Sequence, residues 1–160
     1  MGERIAIMYK GLLQQCGTPT AVYDLPNNLF VPGFIRSPSM NFLPCTKTDG
    51  HINVHSQDGA VPTVLGITAA NRFASAPNAT ELVLGVRPEY VHLLDAPTLE
   101  SLEAKVVVVE LLGSENIINI EIAGHVVKVR TGPTFRPYVG DVLKTSPAQI
   151  SSTLNQPIAT

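Results

Sequence analysis

The chain has 160 residues, with 11 Lys and Arg against 13 Asp and Glu, a formal net charge of −2, 44% hydrophobic and 15% charged residues. A chain of this length hides roughly two-thirds of its unfolded surface, so it holds one domain, or one small domain with an appendage, without covalent staples. The low charge and the lack of long polar tracts argue against disorder, and with no basic cluster a nucleic-acid backbone has no obvious electrostatic footprint. Two cysteines, Cys16 and Cys45, form no CxxC pair and sit among apolar or turn residues. They are expected as free thiols in a reducing compartment. No run approaches the roughly 20 apolar residues that span a bilayer. The first residues lack the cleavage site and length of a signal peptide, so a cytoplasmic location is expected.

In chain order, Arg4–Met8 predicts a short strand, Lys10-Gly11 a turn, and Leu12–Gln15 a second strand. A lone hairpin is marginal in water, so this one is expected at the edge of a sheet whose remainder precedes residue 1. Thr18 and Pro19 suit the cap and first position of a helix carrying Ala21, Val22 and Tyr23 and stopping before Pro26. Asn27 or Asn28 predicts the cap of a second short helix through Leu29, Phe30 and Val31, which Pro32 and Gly33 weaken. Beyond Ser37-Pro38 the pattern turns to strands: Met40–Thr46, His51–His55, Val61–Ile67, Glu81–Val86, Ala104–Leu112, Ile117–Ile122, His125–Arg130 and Asp141–Thr145. Asp49-Gly50 marks a turn, and Thr68–Asn78 is expected as a loop. With Ala123-Gly124 as a two-residue turn, Ile120 faces Val127, Ile118 faces Val129 and Asn119 faces Lys128. One face of that hairpin is then apolar and the other polar. The run Val106–Val109 implies burial on both faces, as at a barrel closure or a dimer interface. Many short strands between turns indicate a mainly β fold, a small barrel or sandwich.

The catalytic patterns sought are missing. No lysine stands in GxxxxGK[ST], whose successive backbone amides surround phosphates. GxGxxG and HExxH are missing too. His51 and His55 stand four positions apart, but on a strand they would lie about 13 Å apart. Ser114 has no histidine partner that the sequence singles out. Neither catalytic residues nor a metal or cofactor site is expected in this chain.

Three segments carry a resemblance. The first is Arg4-Ile5-Ala6-Ile7-Met8, Gly11, Gln15, Gly17-Thr18-Pro19, Tyr23, Pro26, Asn28, Phe30-Val31, Gly33-Phe34-Ile35, Ser37-Pro38 and Met40-Asn41. The second is Leu84-Gly85-Val86-Arg87-Pro88-Glu89. The third is Val109-Glu110-Leu111-Leu112-Gly113-Ser114-Glu115 with Gly140-Asp141-Val142. Together they resemble the ATP-binding subunit of ABC importers for sugars and related solutes, the maltose and glycerol-phosphate type. The resemblance implies that residues 1–37 are the end of a nucleotide-binding domain with its connecting helices. It implies that residues 38–160 are an OB-like regulatory barrel of the TOBE kind. The family's phosphate loop, signature motif and switch histidine would precede residue 1, so ATP and Mg would belong to the intact parent and not to this fragment. The resemblance further implies a homodimer through the regulatory barrel, membrane permease subunits and regulatory proteins as partners of the parent, and a place at the inner face of the cell membrane.

The candidate interaction residues are Arg87, Glu89, Glu110, Gly113, Ser114 and Glu115. Arg87 and Glu89 either pair across a subunit contact or are solvated charges where Pro88 ends a strand. Glu115 either presents a carboxylate from a barrel-end loop or belongs to a plain turn at Gly113. Glu110 is either an inward polar residue or part of the strand's wet face. The alternative function is a small-ligand or oxyanion module using Ser114, Thr131 and Gly132. A nucleic-acid-binding barrel would need exposed aromatics over a positive groove, which the strands lack.

Overall fold

The computed structural model describes residues 3–28, 30–35, 38–49, 51–57, 59, 63–65, 81–97 and 101–147. The loop expected at Thr68–Asn78 and most of the strand expected at Val61–Ile67 fall outside these residues.

The chain opens with a hairpin of β1 (Ile5–Tyr9) and β2 (Leu12–Gly17). Lys10 and Gly11 both take positive φ, 47° and 81°, as the two-residue turn that matches strand twist requires. Helix α1 (Pro19–Asp24) follows, with the Thr18 hydroxyl accepting from the Ala21 amide at 3.2 Å. Helix α2 (Phe30–Ile35) is capped by Asn28 Oδ1, which accepts from the amides of Phe30 and Val31. Pro32 does not end it, because the proline sits in the first turn, where no amide is needed. The hairpin packs on the two helices. Ile7 points between the helices and is buried with Val22 and Val31, with Phe30 packed against them. Gln15 fastens the connection by donating to the Leu25 carbonyl and accepting from the Asn27 amide, both at 2.9 Å.

The remainder is mainly β and OB-like. A four-stranded antiparallel sheet in the order β5-β4-β3-β6 is formed by β3 (Asn41–Thr48), β4 (His51–Val54), β5 (Thr63–Leu65) and β6 (Glu81–Val86). A five-stranded antiparallel sheet in the order β10-β9-β8-β11-β7 is formed by β7 (Val91–Leu94), β8 (Leu102–Leu111), β9 (Asn116–Ile122), β10 (His125–Thr131) and β11 (Val142–Pro147). Alternate residues of both sheets, among them Leu43, Cys45, Ile52, Leu84, Val106, Ile118, Ile120 and Val129, meet in one core. Strand β7 was missed from the sequence, being only four residues long and starting directly after the turn at Pro88–Tyr90.

The β9–β10 hairpin has the predicted register: Ile120 opposite Val127, Ile118 opposite Val129, Asn119 opposite Lys128. Its second face is not simply wet, because β9 lies inside the sheet and Asn119 is buried. The Val106–Val109 run departs from expectation in another way. The pairing with β9 skips Val107, so a bulge re-aims the strand, and Val108 stands 46% exposed where burial on both faces was expected.

Side chains stitch the two sheets together. Asn41 of β3 donates from Nδ2 to the Lys128 carbonyl at 2.9 Å and accepts from the Lys128 amide at 2.7 Å. A side-chain amide thus stands in for a neighbouring strand at the free edge of β10. Nearby, the Gln57 amide donates to the Ala123 carbonyl, and buried His125 bonds through Nε2 to the His55 carbonyl and through Nδ1 to Gln57.

Candidate functional site

The segment Leu84–Glu89 ends β6 and turns into the 3-10 helix Pro88–Tyr90. Each of its unusual residues has a physical task. A Cβ on Gly85 would lie 2.9 Å from Met40 Cε, so glycine leaves room for Met40 at the junction with the helices. Pro88 is buried and opens the 3-10 turn. Arg87 and Glu89, separated by it, both reach Tyr23 of α1. The Arg87 guanidinium lies 3.8 Å from the centre of the Tyr23 ring, and its Nη2 donates to the Tyr23 carbonyl at 2.6 Å. That carbonyl belongs to the last turn of α1, where main-chain acceptors have no helical partner. The Tyr23 hydroxyl donates to Glu89 Oε1 at 3.0 Å. Both charged residues are half-buried. Pro32, Pro38 and Met40 line the same cleft, whose free space of about 20 Å³ is water-sized. Within the chain both charges are therefore half-buried against Tyr23 rather than solvated.

The second predicted cluster lies at the far end of β8. Gly113 takes φ +87°, and the Leu112 amide donates to the Glu115 carbonyl at 3.0 Å, closing a tight turn. Ser114 is exposed at its tip. Glu115 forms an ion pair with Arg130 of β10. Glu110 faces outward and accepts at Oε1 from Asn119 Nδ2 at 3.0 Å, while Asn119 Oδ1 is buried without a partner. The structure therefore brings Arg87 and Glu89 together on one tyrosine, and holds Glu110, Gly113, Ser114 and Glu115 along one end of the barrel.

Asn116 was missed by sequence reasoning. Its buried Nδ2 donates to the carbonyls of Gly132, Pro133 and Phe135, the last at 2.8 Å, and so holds the loop after β10. Around Asn116 the oxyanion candidates are already engaged within the chain: the Gly132 carbonyl accepts from Asn116 Nδ2, and the Thr131 hydroxyl donates to the Asn116 carbonyl. Between the two edges of the larger sheet lies an open groove of about 550 Å³, lined by Val91–Asp95, Arg130, Thr131 and Phe135. Among the described residues no three His, Cys, Asp or Glu side chains gather as a metal site. No helix among them is long and apolar enough to cross a membrane.

Residues 84–148 match the TOBE domain. Over most of its length the chain is in turn similar to the C-terminal region of ABC transporter ATP-binding subunits. It is 39% identical over 127 residues to the oligosaccharides import ATP-binding protein MsmX of Bacillus subtilis, a match covering 76% of this chain and 34% of the relative. It is 36% identical over 127 residues to the trehalose import ATP-binding protein SugC of Mycobacterium tuberculosis, covering 74% of this chain and 30% of the relative. The chain thus spans about a third of the length of the curated relatives it matches. Among solved structures, the cytoplasmic molybdate-binding protein ModG with molybdate bound aligns at a TM-score of 0.48 and 14% identity, over 74% of this chain and 96% of that one. A likeness at that level carries nothing about ligand.

Proposed function

We propose that this chain is the regulatory and dimerisation region of an ABC importer ATPase subunit for sugars or related solutes. ATP and Mg belong, on this reading, to a nucleotide-binding domain outside it, and residues 38–160 act as the regulatory domain. The solutes in the names of MsmX and SugC, oligosaccharides and trehalose, support the solute class. Permease subunits at the inner face of the membrane are then the parent's partners.

The observation that carries the dimerisation reading is an apolar strip on the outside of the barrel. Val108 stands exposed after the bulge of β8, and Val142 is exposed on β11. The turn bearing exposed Tyr138 and Val139 is tied to β8 by the Gly140 amide donating to the Val106 carbonyl at 2.8 Å. Apolar side chains grouped in this way mark association surfaces more often than free surface. Sedimentation equilibrium tests it. The chain is expected to dimerise, and Val108→Lys with Val142→Lys to shift it toward monomer. A wild-type chain that stays monomeric at high concentration would sink the reading.

A further inference from the structure

Among the described residues, those from Ile5 to Ile35 and those of the barrel bury separate cores. Among the described residues the buried cluster of Ile7, Val22 and Val31 has no member in common with the barrel cluster. At the junction, beside the apolar Pro32, Pro38, Met40 and Pro88, Arg87 and Glu89 of the barrel close on Tyr23 from two sides. We propose that Tyr23, Arg87 and Glu89 are a latch that holds the hairpin–helix unit and the TOBE barrel together, and that its opening is the step by which they separate.

Three features favour a latch over incidental packing. The grip is redundant in chemistry but converges on one residue. The ring face takes the guanidinium, the main-chain carbonyl takes Nη2, and the hydroxyl gives its proton to the carboxylate. Half-burial strengthens each of these relative to water and leaves the groups near enough to solvent to be rehydrated when the units part. The cleft around the three side chains has room for no more than a water-sized guest, so the contact is already closed and no ligand is needed to complete it. The proposal goes beyond dimerisation and does not depend on it.

Amide hydrogen exchange on the whole chain tests the latch, read at the Val22 and Leu25 amides, which bond to the Thr18 and Ala21 carbonyls. Amides of β8–β10 serve as the control. Arg87→Ala is expected to speed exchange in α1 by about tenfold to a hundredfold, the scale of a lost charged hydrogen bond. Tyr23→Phe keeps the ring under the Arg87 guanidinium and removes the hydroxyl's bond to Glu89, so about twofold to tenfold is expected. Exchange in β8–β10 should be unchanged in both, because opening is local. Tyr23→Phe with Glu89→Ala should speed α1 no more than the larger of the two single changes, since both remove the same bond. Unaltered α1 exchange in Arg87→Ala, equal acceleration in the barrel, or independent addition of Tyr23→Phe and Glu89→Ala would each overturn the proposal. Should Arg87→Ala fail to fold, the Tyr23→Phe and Glu89→Ala pair decides alone.

Discussion

The hairpin–helix unit and the barrel are built from similar apolar residues and end with different autonomy. In the first, one strand residue and one from each helix are fully covered, while Ile5, Met8, Leu12 and Leu13 of the hairpin and Phe34 of α2 remain exposed. In the second, both sheets contribute to a core that is continuous from Leu43 to Val129. Two strands and two short helices have too little inner surface to offset the conformational entropy of ordering them. The nine strands among the described residues, in two facing sheets, do. The lesson is that the first unit's order has to be borrowed from neighbours, and the latch at Tyr23 is one lender that the chain itself contains.

The largest effect that would sharpen this contrast comes from the centre of the barrel. Ile118 is fully buried, and Ile118→Ala should lower the unfolding free energy by about 2–5 kcal/mol, the usual range for such a cavity. Urea unfolding checks it. The same truncation at Ile7 should leave the barrel's urea midpoint in place and loosen the exchange protection of the hairpin. A barrel midpoint that moves equally for both variants would break the comparison, since the two cores would then be one cooperative unit.

A smaller effect is expected at Asn41. Its amide satisfies both main-chain groups of Lys128, so Asn41→Ala orphans a donor and an acceptor on a partly covered edge. A loss of about 1–3 kcal/mol is expected, with faster exchange of the Lys128 amide. Asn41→Asp should keep the acceptor for that amide and lose the donor, so protection of the Lys128 amide should survive in it better than in the alanine variant.

How much of this was legible in the sequence follows from the range over which each residue acts. The β9–β10 register was legible because a two-residue turn and alternating side chains set it locally, and Ala123 and Gly124 do take positive φ of 52° and 76°. The Thr18 cap was legible for the same reason. The role of Asn41 was not, because its partner lies 87 residues away and an asparagine at the start of a strand has no pattern of its own. Arg87 and Glu89 were picked out from the sequence, but their common target on α1 was not, since nothing local says which distant carbonyl a guanidinium will reach. The bulge at Val107 was hidden inside a run of four valines, where one extra residue leaves no trace in composition.

The two thiols give a third, chemical contrast. Cys16 on the hairpin is exposed and Cys45 in the barrel is buried. Burial pushes the Cys45 thiol up to about 11 from 9.0, opposed in part by a backbone hydrogen bond from Leu84. Cys16 should react with a thiol reagent in the native chain at once, and Cys45 only on unfolding. The sign of the pH effect follows. Above about 9 the unfolded thiol gives up its proton while the folded one keeps it until about 11. Stability present below 9.0 should therefore fall across that window, more steeply than in Cys45→Ala. Equal labelling rates for both cysteines would remove the distinction between an open hairpin and a closed barrel.

The smallest expected effect is at the ion pair of Lys144 and Glu103, on the outside of β11 and β8. The hydrogen bond and charge of Lys144 hold the Glu103 carboxyl below the usual carboxylate value. A depressed carboxyl stabilises the fold above its unfolded value and loses that contribution as pH falls through the folded one. Glu103 is fully exposed, however, so water and salt screen the pair. Glu103→Gln should leave the unfolding midpoint where it was at about 0.15 M ionic strength, a Debye length near 8 Å. A shift visible only at low salt fits the same reading. If Glu103→Gln instead destabilised the chain as much as Tyr23→Phe at that ionic strength, half-burial would not be what gives the Tyr23 latch its strength. The contrast between a covered polar contact and an open one would then have to be abandoned.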